Sequence, residues 1–223
     1  MEIISKILCS DNYVNKSPDY GFGNKILYKM CNDFPKHDDI DIVEAKIWLI
    51  GRAYSATLER RVGPKFNLNK SLQHLKRNDS KLLYNIDDRI DEIRKITKLT
   101  ENSDIEKVLT THKYLIDFFT KLIENPDRPD IPIPIPQKRS LASKYLHFHA
   151  PNAFFIYDSI VNQRLRTITR TSRSPIIITT EQFGDIDNEY TSHVLRCINF
   201  RDNILLNNNI TPRQIDYLLY GGY

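Results

Sequence analysis

Residues 140–166 read Ser-Leu-Ala-Ser-Lys-Tyr-Leu-His-Phe-His-Ala-Pro-Asn-Ala-Phe-Phe-Ile-Tyr-Asp-Ser-Ile-Val-Asn-Gln-Arg-Leu-Arg. The pattern indicates a helix, a short apolar segment and a second helix. Lys144 falls among apolar residues of the first helix, where a lysine is costly unless its amine reaches water or a partner. Asp158 follows the apolar segment at the expected start of the second helix, where free N–H groups and the helix dipole stabilise a carboxylate.

Two interpretations of Lys144 and Asp158 remain open at this point. In the first, Asp158 only caps a helix and the Lys144 side chain extends along apolar surface to solvent. In the second, the two side chains converge on one pocket.

Helical periodicity dominates the rest of the chain. Apolar residues recur at three- and four-residue steps from Leu83 to Ile93 and from Ile105 to Leu122. We expect the second run to begin at a capping box formed by Ser103 and Glu106. Further helices are predicted from about Asp39 to Arg60 and from Thr211-Pro212 onward, whereas 176–178 is the only strand candidate. The sequence therefore predicts an all-α protein.

Prolines interrupt the helical pattern between residues 126 and 139. Alternating Ile-Pro favours an extended path over a helix. We therefore expect a two-lobed helical bundle with a cleft between the lobes: a mainly N-terminal lobe over 1–125, a proline-rich connector over 126–139 and a C-terminal lobe over 140–223. A single compact unit is the alternative.

Composition narrows the class of protein. The chain has 223 residues, of which 40% are hydrophobic and 27% charged, as in ordinary globular proteins. Cys9, Cys31 and Cys197 lie far apart, which argues for reduced thiols and against a cysteine-held metal. No apolar run has membrane-spanning length, and no secretory signal is recognised. We expect a cytoplasmic monomer with no membrane contact and no cofactor.

Basic residues surround the central motif, although the net charge of the chain is only +4. Between Arg139 and Arg173 the only acid is Asp158. Such a stretch is either a phosphate-binding face or a solvated helix edge. The candidate DNA-binding residues are Lys138, Arg139, Ser140, Arg164, Arg166, Arg170 and Arg173.

Lys144 and Asp158 suit chemistry at a sugar carbon. Cleavage of an N-glycosidic bond builds positive charge on the ribose, which a fixed carboxylate stabilises. A buried lysine has a lowered pKa and can attack C1′ to form a Schiff base. His147 and His149 would need to join Asp158 to bind a metal, but residues two apart diverge on a helix, so no metal site is predicted.

The segments 142–149 and 154–161, Ala-Ser-Lys-Tyr-Leu-His-Phe-His and Phe-Phe-Ile-Tyr-Asp-Ser-Ile-Val, resemble the catalytic segment of the helix-hairpin-helix DNA glycosylase superfamily, in particular its distant 8-oxoguanine-glycosylase-like members. The resemblance places Lys144 at the lysine of the lyase-type enzymes and Asp158 at the essential aspartate. It implies an all-helical, two-lobed fold with the active cleft between the lobes. The family's Leu-Pro-Gly-Val-Gly hairpin is absent, so Lys138, Arg139 and Ser140 would contact the DNA phosphate instead.

The sequence thus predicts a DNA glycosylase that flips a modified base and cleaves its N-glycosidic bond, in base-excision repair or in defence against phage. Asp158 would stabilise the sugar cation, and Lys144 would act as a lyase nucleophile or a base contact. The alternatives are a non-catalytic helical nucleic-acid-binding module and a helical interaction protein of a toxin–antitoxin or abortive-infection system. The candidate walls of the base pocket are Tyr145, His147, Tyr157, Trp48 and Tyr54, the last two also being candidates for the core.

Overall fold

A computed structural model describes residues 21–60, 62, 66–124, 137–170, 184–207 and 209–220. Within these ranges the protein contains nine α-helices and no strand, so the all-α prediction is confirmed. A short π-helical turn, Phe200–Ile204, follows α8. The helices are α1 (Phe22–Asp33), α2 (Ile40–Ala53), α3 (Leu68–Asn78), α4 (Ser80–Ile93), α5 (Asn102–Ile123), α6 (Arg139–His149), α7 (Ser159–Ile168), α8 (Asn188–Asn199) and α9 (Pro212–Tyr220).

Local turn chemistry sets the bounds of helix α2. Its start agrees with the prediction, because the carboxylate of Asp39 accepts hydrogen bonds from the N–H groups of Asp41 and Ile42. The helix ends at Ala53 rather than near Arg60. Ser55 adopts φ 51°, in the left-handed region, and this conformation cannot continue an α-helix.

The predicted starts of α9 and α5 have different outcomes. At α9, the Gln214 side chain accepts from the N–H of Thr211 at 2.8 Å, and the Thr211 hydroxyl accepts from the N–H of Gln214 at 3.2 Å. At α5 the prediction was wrong: the helix begins earlier, at Asn102, with Glu101 at the cap and no side-chain cap bond. Because the helix already includes Ser103, its hydroxyl does not occupy the cap position.

Helix α6 is the central helix of the described structure. It packs against α1, α2 and α5, while α7 packs against α8 and α9. Every residue from Leu141 to His149 is buried, including Ser143, Lys144 and two histidines. A helix buried on all sides has no solvent face for its polar side chains, so each of them needs a partner inside the protein.

Several sequence predictions lie outside the described residues. They concern residues 126–136 of the proline-rich connector, the strand candidate at 176–178, Cys9 and Arg173. Among the described helices, none combines the length and the apolar character needed to cross a membrane.

Most of the histidines lie in the interior and are held neutral there. Burial lowers the pKa of each buried imidazole, to about 3 for His112 and to about 4 for His147 and His193. Five of the six histidines share this environment: His37, His112, His147, His149 and His193.

We expect the free energy of unfolding to fall as the pH decreases from about 7 to about 5. In this window the histidines of the unfolded chain bind protons, whereas the buried ones stay neutral, so acid favours the unfolded state. Asp216 acts in the opposite direction, because burial raises its pKa to about 6, but it is one group against five. Urea unfolding at the two pH values measures the difference.

Two matched variants identify the groups responsible. His193→Gln keeps a donor near the Ile156 carbonyl and removes one titrating group, so it should reduce the difference by about 2 kcal/mol. His74→Gln changes a partly exposed histidine of α3 and leaves all five buried histidines in place, so it is the control for the substitution itself. Equal unfolding free energies of the parent protein at both pH values would contradict the expectation.

Candidate active site

A cavity of about 510 Å³ lies where three parts of the chain meet. Its wall comes from the segment after α2, from the start of α6 and from the residues that lead into α7. Six of the predicted site residues lie on this wall: Tyr54, Lys138, Ser140, Lys144, Tyr157 and Asp158.

Asp158 reaches the cavity at the end of an extended segment, residues 154–158, whose carbonyl groups bind side chains. The carbonyl of Phe154 lies 2.8 Å from His147 Nδ1, and that of Ile156 lies 3.0 Å from His193 Nε2. A carbonyl oxygen can only accept, so both of these ring nitrogens carry protons. The hydroxyls of Tyr190 and Ser140 donate to the carbonyls of Phe155 and Tyr157 at 2.9 and 3.1 Å.

The backbone N–H of Tyr157, a residue of the cavity wall, is also bound by α6. The N–H of Tyr157 donates to Ser143 Oγ at 2.9 Å, and Ser143 in turn donates to the carbonyl of Ser140 at 3.0 Å. Polar side chains of α6 and α8 thus replace the backbone partners that a helix or sheet would supply. These hydrogen bonds hold the backbone that leads to Asp158 and so fix the position of Asp158 at the cavity.

Asp158 performs two roles with its two carboxylate oxygens. Oδ1 accepts a hydrogen bond from the N–H of Ile160 at 2.9 Å and caps α7. Oδ2 lies 3.8 Å from the amine of Lys144. Asp158 therefore caps a helix, as the first interpretation has it, and meets Lys144 at one cavity, as the second has it, whereas the Lys144 side chain does not extend to solvent.

Lys144 is almost fully enclosed, with a side chain 3% exposed. Its amine donates to Ser140 Oγ at 2.8 Å and lies 5.6 Å from the centre of the Tyr54 ring. Burial lowers the pKa of Lys144, although the carboxylates of Asp158 and Asp216 partly oppose this effect. A lysine in this state is a better nucleophile near neutral pH than one in water.

Two candidate pocket residues of α6 lie in the interior instead of on the cavity wall. Tyr145 is buried, and its hydroxyl donates to His37 Nε2 at 2.7 Å, because the other ring nitrogen of His37 donates to Asp87. His147 uses its second nitrogen to accept from the Tyr28 hydroxyl at 2.6 Å. Both side chains therefore connect α6 to neighbouring parts of the protein in the interior.

Trp48 also lies off the cavity wall. It sits on the surface of α2 with 47% of its area exposed, and the guanidinium of Arg52 lies 5.5 Å from its ring. Trp48 was a candidate for the pocket wall and for the core, and the structure places it in neither. Tyr54, by contrast, is partly buried on the wall, and its hydroxyl donates to Asn24 Oδ1 at 2.9 Å.

The predicted basic residues near the cavity are largely bound within the protein. The Lys138 amine donates to the carbonyls of Arg60 and Thr57 at 2.8 and 3.4 Å. Arg139 forms a two-point ion pair with Asp187, with N–O distances of 2.6 and 2.7 Å. The positive charges of Lys138 and Arg139 are therefore bound by other groups of the protein.

The arginines in and just after α7 differ in whether another group of the protein binds them. Arg164 donates to the carbonyl of Leu219 at 2.6 Å and Arg166 pairs with Glu189. Arg170 is exposed and forms no ion pair with another residue in the ranges that the structure describes. The structure does not bring these arginines to the cavity wall.

Sequence reasoning missed two charged residues of α9 that lie near Lys144. Arg213 Nη1 donates to Asp216 Oδ2 at 2.7 Å, and the guanidinium of Arg213 lies 5.8 Å from the centre of the Tyr54 ring. No local motif marks them, because a lone Arg and Asp one turn apart are common on helix surfaces. Among the described residues, no three metal-ligating side chains come together.

Comparisons of the chain with protein-family models, with curated proteins and with solved structures found no match. The function is therefore inferred from the residues of the chain itself.

Ser143→Ala tests how the extended segment is held. The change leaves the N–H of Tyr157 without its acceptor, so we expect the free energy of unfolding to fall by about 1–3 kcal/mol. Ser103→Ala, at an exposed position in the first turn of α5, is the matched control and should change stability by less than about 0.5 kcal/mol. Equal urea midpoints for both variants would show that Ser143 does not hold the segment.

Proposed function

We propose that the protein is a DNA glycosylase that accepts a flipped, modified base in this cavity and cleaves its N-glycosidic bond. The observation that carries the proposal is the convergence of the Lys144 amine and the Asp158 carboxylate, 3.8 Å apart, on the wall of one cavity. The volume of about 510 Å³ lies within the range of small-molecule pockets, roughly 300–1,000 Å³. The resemblance of residues 142–149 and 154–161 to glycosylase catalytic segments supports the same assignment.

Asp158 stabilises the positive charge that develops on the sugar. One of its oxygens is occupied by the N–H of Ile160, and the other is directed towards Lys144. The carboxylate is therefore held in place before the substrate arrives, and a charge fixed in this way does not need to reorganise as the bond breaks. It also orients a water molecule for direct hydrolysis.

Lys144 provides the covalent route. Its neutral amine attacks C1′ of the sugar, and the C1′–N bond breaks with its electron pair passing to the departing base, which takes up a proton. The amine nitrogen then loses a proton, and its lone pair forms the C1′=N bond of a Schiff base. The C1′–O4′ bond breaks in the same step, and its electron pair passes to O4′, which takes up the proton. The enclosure of Lys144 favours the neutral amine that this attack requires.

Two tyrosines are suited to contact the base. Tyr54 and Tyr157 both lie on the cavity wall, and each hydroxyl has a fixed partner: Asn24 for Tyr54 and Glu189 for Tyr157. Rings held in this way offer flat surfaces on which an unstacked base gains stacking energy. The identity of the base is then decided by the polar groups around it.

Asp158→Asn tests the electrostatic role. Asparagine caps helices about as well as aspartate but lacks the charge, so we expect base release to slow by about a hundredfold or more with little loss of stability. The assay is incubation with genomic DNAs that carry different base modifications, followed by mass analysis of the released bases. A folded Asp158→Asn variant that releases bases at the parental rate would rule out the mechanism. A parent protein that releases no base from any of these DNAs would favour the non-catalytic alternatives.

Lys144→Ala tests the covalent route. Borohydride should trap a protein–DNA adduct with the parent protein and not with this variant, while release of the base by water persists. The matched control is Lys46→Met, which removes a second buried lysine whose pKa burial lowers to about 8. Lys46 does not line the cavity, so its replacement should leave trapping intact. Equal trapping by the Lys144→Ala variant would assign the nucleophile to another residue.

A further inference from the structure

Helix α9 carries an ion pair close to the cavity, although no residue of α9 lines the cavity wall. Arg213 and Asp216 lie one turn apart on α9, joined at 2.7 Å, with side chains 14% and 12% exposed. An ion pair in such a position loses most of its hydration, so its presence there is not explained by stability alone.

The ring of Tyr54 connects this pair to the cavity. The Lys144 amine and the Arg213 guanidinium lie 5.6 and 5.8 Å from the centre of the same ring. Each distance is within the range of a cation–π contact. Two cations that contact the same aromatic ring repel each other. Nearby carboxylates offset this repulsion.

The available carboxylates are those of Asp158 and Asp216. Asp158 lies 3.8 Å from the Lys144 amine, too far for a hydrogen bond, and that amine donates to the neutral hydroxyl of Ser140. The carboxylate of Asp216 acts on Lys144 in the same sense as that of Asp158, because both favour the protonated amine.

We propose that Asp216 is a positioning residue of the cavity: it holds Arg213 against Tyr54 and supplies the second carboxylate that governs how readily Lys144 keeps its proton. The inference deepens the proposed function, since it rests on Lys144 as the reactive amine. The α9 helix, far from the central motif in sequence, would thus set the reactivity of the nucleophile.

Carbamylation by cyanate measures this property directly, because cyanic acid is small and adds only to a neutral amine. The full-length protein is treated over a range of pH, and the modified fraction of Lys144 is read by mass spectrometry against a lysine peptide in the same tube. In Asp216→Asn we expect the profile of Lys144 to move to lower pH, with more modification on its acid side than in the parent protein, because the variant lacks a carboxylate that favours the protonated amine. Asp216→Glu keeps the charge and should restore the parental profile.

The matched control is Asp117→Asn on α5. It removes the same charge from another cation–carboxylate pair, that of Lys113, and should leave the profile of Lys144 unchanged. A folded Asp216→Asn variant with the parental profile would overturn the proposal. If this variant does not fold, the double variant Arg213→Met/Asp216→Leu replaces the pair by apolar residues, which buried pairs often tolerate. Because the double variant also removes a cation that repels Lys144, it is compared with Arg213→Met/Asp216→Glu, which lacks the same cation but keeps a carboxylate. The profile of the double variant must lie at lower pH than that of this reference, or the proposal fails.

The outcome for Asp216 is separate from that for DNA. A shifted profile in a protein that releases no base would uphold the role of Asp216 in setting the charge of Lys144 and reject the proposed glycosylase function. Base release with an unshifted profile would uphold the function and reject the role of Asp216.

Discussion

The structure depends on how the backbone of residues 154–157 finds hydrogen-bond partners in the interior. A buried irregular segment is costly because its carbonyl groups have neither water nor a helix to bind. Here four side chains from α6 and α8 supply the donors, and Ser143 supplies the acceptor for Tyr157. The same bonds deliver Asp158 to the cavity, so the solution to a folding problem also builds the site. Ser140, Ser143 and His147, which are polar residues in a largely apolar helix, are explained by this task.

The parts of the structure that follow from local pattern could be predicted from the sequence. Apolar spacing of three and four residues is sufficient for the all-α fold, because the positions from Ile86 to Ile93 and from Ile105 to Leu122 lie on the buried faces of α4 and α5. The meeting of Lys144 and Asp158 was also one of two predicted arrangements. It follows from a lysine inside a buried helix and an acid at the start of the next one.

The parts that depend on which way a helix faces could not be predicted. Every residue from Leu141 to His149 is buried, so the sequence of α6 does not distinguish Lys144, which faces the cavity, from Tyr145 and His147, which do not. Arg213 and Asp216 approach Lys144 only through the packing of α9. The end of α2 was missed because Ser55 gives no warning that it adopts a positive φ.

The contacts that assemble the cavity join residues that are remote along the chain. Lys138 binds the carbonyls of Thr57 and Arg60, also on the cavity wall, across 81 and 78 positions. The entropy of closing such long loops must be overcome before these contacts stabilise anything, which slows folding. Local helices can form while the chain is still being synthesised, but the wall of the cavity needs residues 54–60 and 137–159 to have been made and to have met. Lys144 therefore becomes enclosed only after these two remote parts of the chain have come together.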